Sequence, residues 1–385
     1  MWNYQNGYRE KITDYMEKLI KQDGYPLEKY SVTTKDRYIN IMYRIPYGKC
    51  GNTNGQRRPA VLLNHGMICS SAIFIDQNPL GYYLADNGYD VWLLNNRGTT
   101  FSTKHEDYDA EKEKDKYWDF GFHEIAIFDL PAFIDFVLDH TRRRTICHIG
   151  FSQGATTFAI MASELPEYNE KINLSILLAC PILFDNVSFF HVKVSCILGI
   201  IIIQILEKIF RLKLHEIPLM AEMRFLMFYA AKNNIYRKIS ELIMSLIVGY
   251  RDRIQLSELD HQRLGITTPN SSSTRQFLHY SQMIRYSKFA KYDYGSTKNK
   301  ELYGNKNPPL YDLSKVTSPV GIFYGKNDMY NDCYQDGLEK RLGNTVHVQI
   351  LDHEFYNHLD FLYAKDNIKI LFEDMLKLMK KYCHL

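Results

Sequence analysis

The sequence predicts an α/β fold, with a mostly parallel central sheet, helices on both faces, and a helical segment inserted late in the chain. Three observations carry this. Short, largely apolar runs such as Pro59-Ala60-Val61-Leu62-Leu63 and Tyr89-Asp90-Val91-Trp92-Leu93-Leu94 alternate with helix-forming stretches. Runs of this kind are typical of strands buried on both faces. One of them, Thr145 to Gly150, breaks into Gly150-Phe151-Ser152-Gln153-Gly154, with a helix-forming segment, Ala155 to Leu165, directly behind it. The alternation stops near Phe184 and resumes only at Ser318, leaving a long interval poor in strands.

Taken in order, the chain opens with a polar helix that carries an apolar stripe, Ile12, Tyr15, Met16 and Leu19, and ends near Gly24. Tyr30 to Ile45 alternates around Thr34-Lys35-Asp36-Arg37, the pattern of a β-hairpin. A Gly/Asn/Arg-rich loop, Gly48 to Arg58, leads to the first buried strand, which ends at Asn64-His65-Gly66-Met67. A helix over Tyr82–Asn87 is stopped by Gly88, and the next strand runs out into Asn95-Asn96-Arg97-Gly98. Helix Phe122 to His140 precedes the strand that ends at Ser152, and a further strand spans Asn173 to Cys180. After the interval come a strand ending at Tyr324, a last strand, Val346 to Leu351, and a closing helix, Ile368 to Tyr382. The expected organisation is therefore a core, 1–183, a helical cap, 184–302, and the rest of the core, 303–385. Within the cap, Val194 to Ile203 is apolar but shorter than the roughly 20 residues a membrane span needs. Arg211 to Tyr250 continues as amphipathic helices.

Composition narrows the function. A net charge of +3 without a long basic run excludes nucleic acid as the expected partner. The 29 Tyr and 21 Phe read first as core. The seven cysteines form no metal-type C-x-x-C pair, and Cys147 and Cys180 read as small buried hydrophobes; nothing in the sequence suggests a metal or organic cofactor. Met1-Trp2-Asn3-Tyr4-Gln5 is polar with no apolar stretch behind it, so no signal peptide is expected in the chain as given. Sequons stand at Asn173, Asn186 and Asn270. Asn173, beside a core strand, is a poor acceptor, whereas Asn270, in Thr267-Thr268-Pro269-Asn270-Ser271-Ser272-Ser273, is expected in a surface loop.

The chemistry follows from the tight turn. Small residues on either side of Ser152 allow a strand-to-helix reversal that puts its hydroxyl at a helix N-terminus, where outward N–H groups favour negative charge. An ordinary β-to-α turn is the plainer alternative. A serine nucleophile needs a base, and the base needs an orienting acid. In a doubly wound sheet both collect beyond the carboxyl ends of later strands. Gly325-Lys326-Asn327-Asp328 puts Asp328 there, in preference to Asp332, which lies deeper in the loop. His353 and His358 both follow the last strand, and spacing does not separate them. His148, inside a strand, reads as a core histidine, and His65 as a brace. The backbone N–H groups of Gln153 and Met67 are the candidate oxyanion donors.

With these residues in view, the chain resembles the acid lipase family of the α/β-hydrolases. The resemblance rests on Gly24-Tyr25-Pro26, Tyr43-Arg44-Ile45-Pro46-Tyr47-Gly48, Asn64-His65-Gly66-Met67, Leu84 to Leu93, Asn96-Arg97-Gly98 and Tyr117-Trp118-Asp119-Phe120. It continues through Asp129-Leu130-Pro131-Ala132, Gly150 to Gly154, Tyr292-Asp293-Tyr294-Gly295, Pro308-Pro309-Leu310-Tyr311, Gly325 to Asp328 and Tyr356-Asn357-His358-Leu359-Asp360-Phe361. It implies an α/β-hydrolase fold with Ser152 as nucleophile, Asp328 as acid and His358, rather than His353, as base, and it supports Met67 and Gln153 as oxyanion donors. It also implies a serine lipase acting without a cofactor on neutral lipid esters, acylglycerols or sterol esters, at a lipid–water interface. A monomer and a secreted or lysosomal glycoprotein are the corresponding expectations, with an intracellular, lipid-droplet location as the alternative. A carboxylesterase for small soluble esters and a non-catalytic lipid-binding relative are the competing readings. Three features depart from the family: Phe151 where His is usual, no cysteine pair in the cap, and no secretory signal.

Overall fold

The computed structural model describes residues 14–51, 55, 57–75, 79–184, 268–330, 337–351 and 353–383, together with 194, 198, 203, 214–217, 233–239 and 242. The first helix, α1, covers residues 14–22, and Met16, Leu19 and Ile20 bury its apolar stripe. Strands β1 (Glu28–Thr33) and β2 (Tyr38–Ile45) pair antiparallel as the hairpin the alternation predicts. At its turn, the Thr34 hydroxyl donates to Asp36 Oδ1, and Arg37 takes a left-handed φ of 74°.

Next come β3 (Ala60–Asn64), α2 (Leu80–Asp86), β4 (Asp90–Leu94), the two-residue β5 (Lys104–His105) and the short α3 (Lys114–Tyr117). Helix α4 (Phe122–Glu124) passes through a π-helical turn, Ile125–Asp129, into α5 (Leu130–Thr141), giving the continuous helical run the sequence predicts. Then follow β6 (Ile146–Phe151), α6 (Gln153–Glu164), β7 (Ile172–Leu178), β8 (Val320–Gly325) and β9 (Thr345–Leu351). The sheet order is β1-β2-β4-β3-β6-β7-β8-β9, with β5 paired to β2. From β4 to β9 all neighbours are parallel.

Every residue of β3, β4, β6 and β8 is buried. Alternate side chains of β3 feed two separate cores. Val61 and Leu63 join one with α1 and the C-terminal helix, while Ala60 and Leu62 join the other with Phe133 of α5 and Phe158 of α6. This is the arrangement that continuous apolar strands require.

Between β7 and β8 the described residues include α7 (Thr274–Tyr286) and α8 (Ser296–Tyr303). Residues 234–239 are helical, but most of Val194–Ile203 and Arg211–Tyr250, the sequon at Asn186, and Asp332 lie outside the described residues. Helix α7 packs on the core: the His279 ring stacks on Phe122 at 4.0 Å, and the Tyr280 hydroxyl donates to Thr156 Oγ1 at 3.0 Å. After β9 come α9 (Asp360–Tyr363), a π-helical turn Ile368–Phe372, and α10 (Glu373–Tyr382).

Two expectations need correcting. Asn270 is not on the surface: it is 1% exposed, and its Oδ1 accepts from the Thr100 N–H at 2.7 Å and the Thr100 hydroxyl at 3.0 Å. A polar Asn/Ser/Thr loop reads as solvated from sequence, but here the carboxamide satisfies backbone of the loop after β4, so glycan attachment there would need that contact broken. Cys147 is buried, as expected, but it is disulfide-bonded to Cys383, which follows α10. Cys50, which is exposed, and Cys69, which is buried, are free thiols.

Candidate active site

Because β3, β6, β8 and β9 run parallel, their carboxyl ends lie along one edge, and every candidate residue sits just beyond that edge. Ser152 occupies the turn between β6 and α6 with φ 52° and ψ −116°. This is a strained conformation for a residue with a side chain. Its N–H donates to Leu178 O of the neighbouring strand at 2.9 Å, which fixes the turn. The flanking glycines are demanded by space. A Cβ on Gly154 would stand 2.2 Å from Asn64 O, and one on Gly150 would stand 2.6 Å from Gly154 C.

The structure brings Ser152, His358 and Asp328 together. His358 Nε2 lies 2.9 Å from Ser152 Oγ, and its Nδ1 lies 2.9 Å from each Asp328 oxygen. With Asp328 accepting from Nδ1–H, Nε2 is left to accept the serine proton. Asp328 and His358 are 4% and 7% exposed, so the ion pair formed during a proton transfer would be little screened by water. Tyr330 N–H donates to Asp328 Oδ1 at 3.0 Å. The loop carrying His358 is tied from within, since Asn357 Oδ1 accepts from Leu359 N–H and Asp360 Oδ2 accepts from Asn357 N–H. His353 sits at the start of that loop, where its Nδ1 accepts from the Phe355 N–H and its ring lies beside that of Phe355.

Phe151 is 1% exposed, and its ring centroid lies 5.2 Å from that of His358. Tyr330 approaches the same imidazole at 5.2 Å in an edge-on arrangement. The residue that departs from the family thus packs against the imidazole and leaves the turn intact.

Gln153 is the first residue of α6, where a helix leaves its N–H groups without partners in the helix. Met67 belongs to the loop after β3, which runs close against the serine: a Cβ on Gly66 would be 3.1 Å from Ser152 Cβ. His65 is the brace the sequence suggests. Its Nδ1 donates to Gly66 O at 2.8 Å, and its Nε2 accepts from Asn96 N–H at 3.1 Å. Burial lowers its pKa to about 4, so it stays neutral and can make both bonds. A trans peptide points its C=O and N–H in opposite directions, so anchoring Gly66 O on His65 turns the Met67 N–H away from His65.

Several supporting residues escaped the sequence reading. Asn64 Nδ2 donates to Thr157 Oγ1 at 3.0 Å, and Asn96 Nδ2 donates to Asn64 Oδ1 at 3.3 Å, lacing the ends of β3 and β4 to α6. Arg97, 2% exposed, binds Asp129 through Nε at 2.7 Å and Asp36 through Nη2 at 2.7 Å. The available signal was the polar run Asn95-Asn96-Arg97 directly after β4 and the polar Asn64 that closes the otherwise apolar β3. His148 is a core histidine with Nδ1 2.9 Å from Ser175 Oγ. Among the described residues no cluster of His, Cys, Asp or Glu is arranged to hold a metal ion.

A serine on a strand-to-helix turn, with Asp and His from later strand ends, defines the serine hydrolases of the α/β-hydrolase class. Residues 59–180 match the alpha/beta hydrolase fold, and residues 16–78 match the partial alpha/beta-hydrolase lipase region. The chain is 31% identical to human lysosomal acid lipase/cholesteryl ester hydrolase over 95% of its length and 91% of that protein's. It is 33% identical to rat gastric triacylglycerol lipase (94% and 91% covered) and 33% identical to Lipase 1 of Drosophila melanogaster (97% and 81% covered). It belongs to the acid lipase family of the α/β-hydrolases. Among solved structures, the alpha/beta hydrolase GrgF from Penicillium shares the fold with a TM-score of 0.53 at 14% identity, covering 93% of this chain and 99% of that one.

Proposed function

We propose that this chain is a serine lipase that hydrolyses carboxylic esters of neutral lipids, acylglycerols or sterol esters, through an acyl-enzyme. The observation that carries the reading is the unbroken hydrogen-bond line from Asp328 through His358 to Ser152 Oγ, each link 2.9 Å. Its relatives are lipases along nearly their whole length.

Ser152 Oγ attacks the ester carbonyl while His358 Nε2 takes its proton. The carbonyl oxygen, now negative, is held by the N–H groups of Gln153 and Met67. The C–O bond to the alcohol breaks as His358 returns the proton to the leaving oxygen. Water then repeats the sequence on the acyl-serine, releasing a fatty acid and restoring Ser152. Asp328 holds the imidazole tautomer and offsets its positive charge.

The insertion at 184–302 acts as a cap that opens at a lipid surface. Supporting this, Leu198, Ile235, Ile239 and Leu242 are 51%, 69%, 42% and 61% exposed. Each large apolar side chain moved from water into lipid gains about 1.5–3 kcal/mol. No helix among the described residues is long and apolar enough to cross a membrane. A secreted or lysosomal location is supported by the Cys147–Cys383 disulfide, a bond that persists in oxidising compartments.

The test is labelling with a fluorophosphonate. The native chain should be modified at Ser152, and Ser152→Ala should not be; an unlabelled native chain would favour a lipid-binding relative. Equal turnover of short soluble and long insoluble esters would instead favour a carboxylesterase.

A further inference from the structure

Arginines collect at the end of the sheet opposite the active site. Arg57 and Arg58 precede β3, Arg142, Arg143 and Arg144 precede β6, and these two strands are hydrogen-bonded neighbours. Val61 pairs with Cys147, and Arg57 and Arg143 each stand four residues before that pair (61 − 57 and 147 − 143), so the parallel register sets the two loops side by side. The Arg143 guanidinium donates to the Arg58 carbonyl oxygen. Burial, with like charge from Arg57, pulls the Arg143 pKa below its ordinary value, and Asp90 only partly offsets this.

The surrounding charge does not neutralise the group. Neither Gly48–Arg58 nor His140–Thr145 contains a carboxylate, and Lys49 adds a cation to the first. Asp90 is engaged by both Arg44 Nε and Nη2, and Asp86 accepts from Tyr25 and the Lys49 N–H. Exposed Asp139 lies one helical turn before Arg142. Arg57, Arg142 and Arg144 are exposed and form no ion pair among the described residues. The Arg58 guanidinium is taken up by the Ala85 and Gly51 carbonyl oxygens, and the remaining arginines, carried on two adjacent loops, repel one another unless an anion lies between them.

We infer that this arginine surface docks a sulfated polysaccharide. Guanidinium groups present paired donors to sulfate oxygens, and a row of them along two loops suits a polymer with regularly spaced anions. Position decides against an anionic membrane. Ser152 stands eight residues after Arg144, six of them in strand β6, a span of about 26 Å at roughly 3.3 Å per residue. A flat bilayer on the arginines would therefore hold the active-site edge away from lipid, whereas a flexible polymer leaves that edge free.

The test uses heparin as probe on the whole protein. The triple variant Arg57→Ala, Arg142→Ala, Arg144→Ala is compared with a charge-matched control, Lys298→Ala, Lys300→Ala, Lys306→Ala. The salt slope of heparin binding should fall by about three in the arginine variant, as expected for about one unit per lost contact. It should change little in the control, with hydrolysis of a soluble ester equal in all three. Equal slopes in the two variants would overturn the inference. So would binding to phosphatidylserine vesicles, but not heparin, that depends on the arginines. Displacement by inorganic sulfate as effective as by heparin at equal sulfate would also overturn it, pointing to a pocket for a single anion.

Discussion

At the scale of single residues, the site depends on side chains that never touch the reacting atoms. His65 is the clearest, since it joins Asn96 N–H to Gly66 O and so sets the peptide that carries the Met67 N–H. His65→Leu should reduce kcat by about 10²–10³, the usual consequence of losing an oxyanion donor, with KM nearly unchanged. Steady-state kinetics on a soluble ester would read this, and a rise in KM alone would point to substrate binding instead. Gly154→Ala should lower the melting temperature by about 5 °C or more, because the added methyl would stand 2.2 Å from Asn64 O. An unshifted thermal melt would show that the turn can give way. Much at this scale was legible in the sequence. A serine between small residues and polar groups beyond strand ends are local patterns, set by backbone geometry. Spacing alone did not separate His358 from His353, because both follow β9; the resemblance of the Asn357-His358-Leu359-Asp360-Phe361 context chose His358, and the Asn357–Asp360 loop, closed on itself, turns it toward Ser152.

At the scale of elements, the sheet was readable because continuous burial leaves continuous apolar runs, while long-range ties leave no such mark. Cys147 and Cys383 are 236 residues apart, and nothing near either predicts the other. Their bond clamps α10, and with it Met375 and Met379, onto the strand that leads to Ser152. Closing so long a loop stabilises by up to about 5 kcal/mol in the chain-entropy description. Cys383→Ser should therefore lower the denaturation midpoint, by about 2–4 kcal/mol in chemical unfolding, and leave KM for a soluble ester unchanged. A midpoint equal to the parent's would show the bond contributes nothing. Asn270 was misread for a related reason, because its partner Thr100 lies 170 residues away. The cap allows a separate check. Ile239→Glu should depress hydrolysis of emulsified ester several-fold and spare a dissolved one, whereas equal loss on both would mean that the residue supports the fold.

At the scale of the whole molecule, buried histidines link stability to pH. Burial lowers the pKa of His65 and His123 to about 4 and of His148 and His279 to about 3. In the unfolded chain each takes up a proton as pH falls through about 6.5, while in the folded chain it stays neutral. Their contribution is thus fully present above 6.5 and lost progressively toward the folded values, by about 2 kcal/mol each at pH 5. Burial raises the Asp129 and Glu124 pKa values, which acts in the opposite sense. Replacement isolates one histidine: His148→Leu should show a smaller drop in melting temperature between pH 7 and pH 5 than the parent, and an identical drop would mean His148 does not titrate on unfolding. The basic end belongs to this scale too. No long basic run exists in the sequence, because the fold assembles the patch from two short ones. The same topology puts Ser152, Asp328 and His358 at the other end of the sheet. The most direct measurement is fatty acid release from emulsified triacylglycerol and cholesteryl ester by the native chain and by Ser152→Ala. The account predicts release from at least one emulsion by the native chain and none above background by the variant. Release by Ser152→Ala at the native rate, or no release from either emulsion by a native chain that still cleaves short soluble esters, would contradict it.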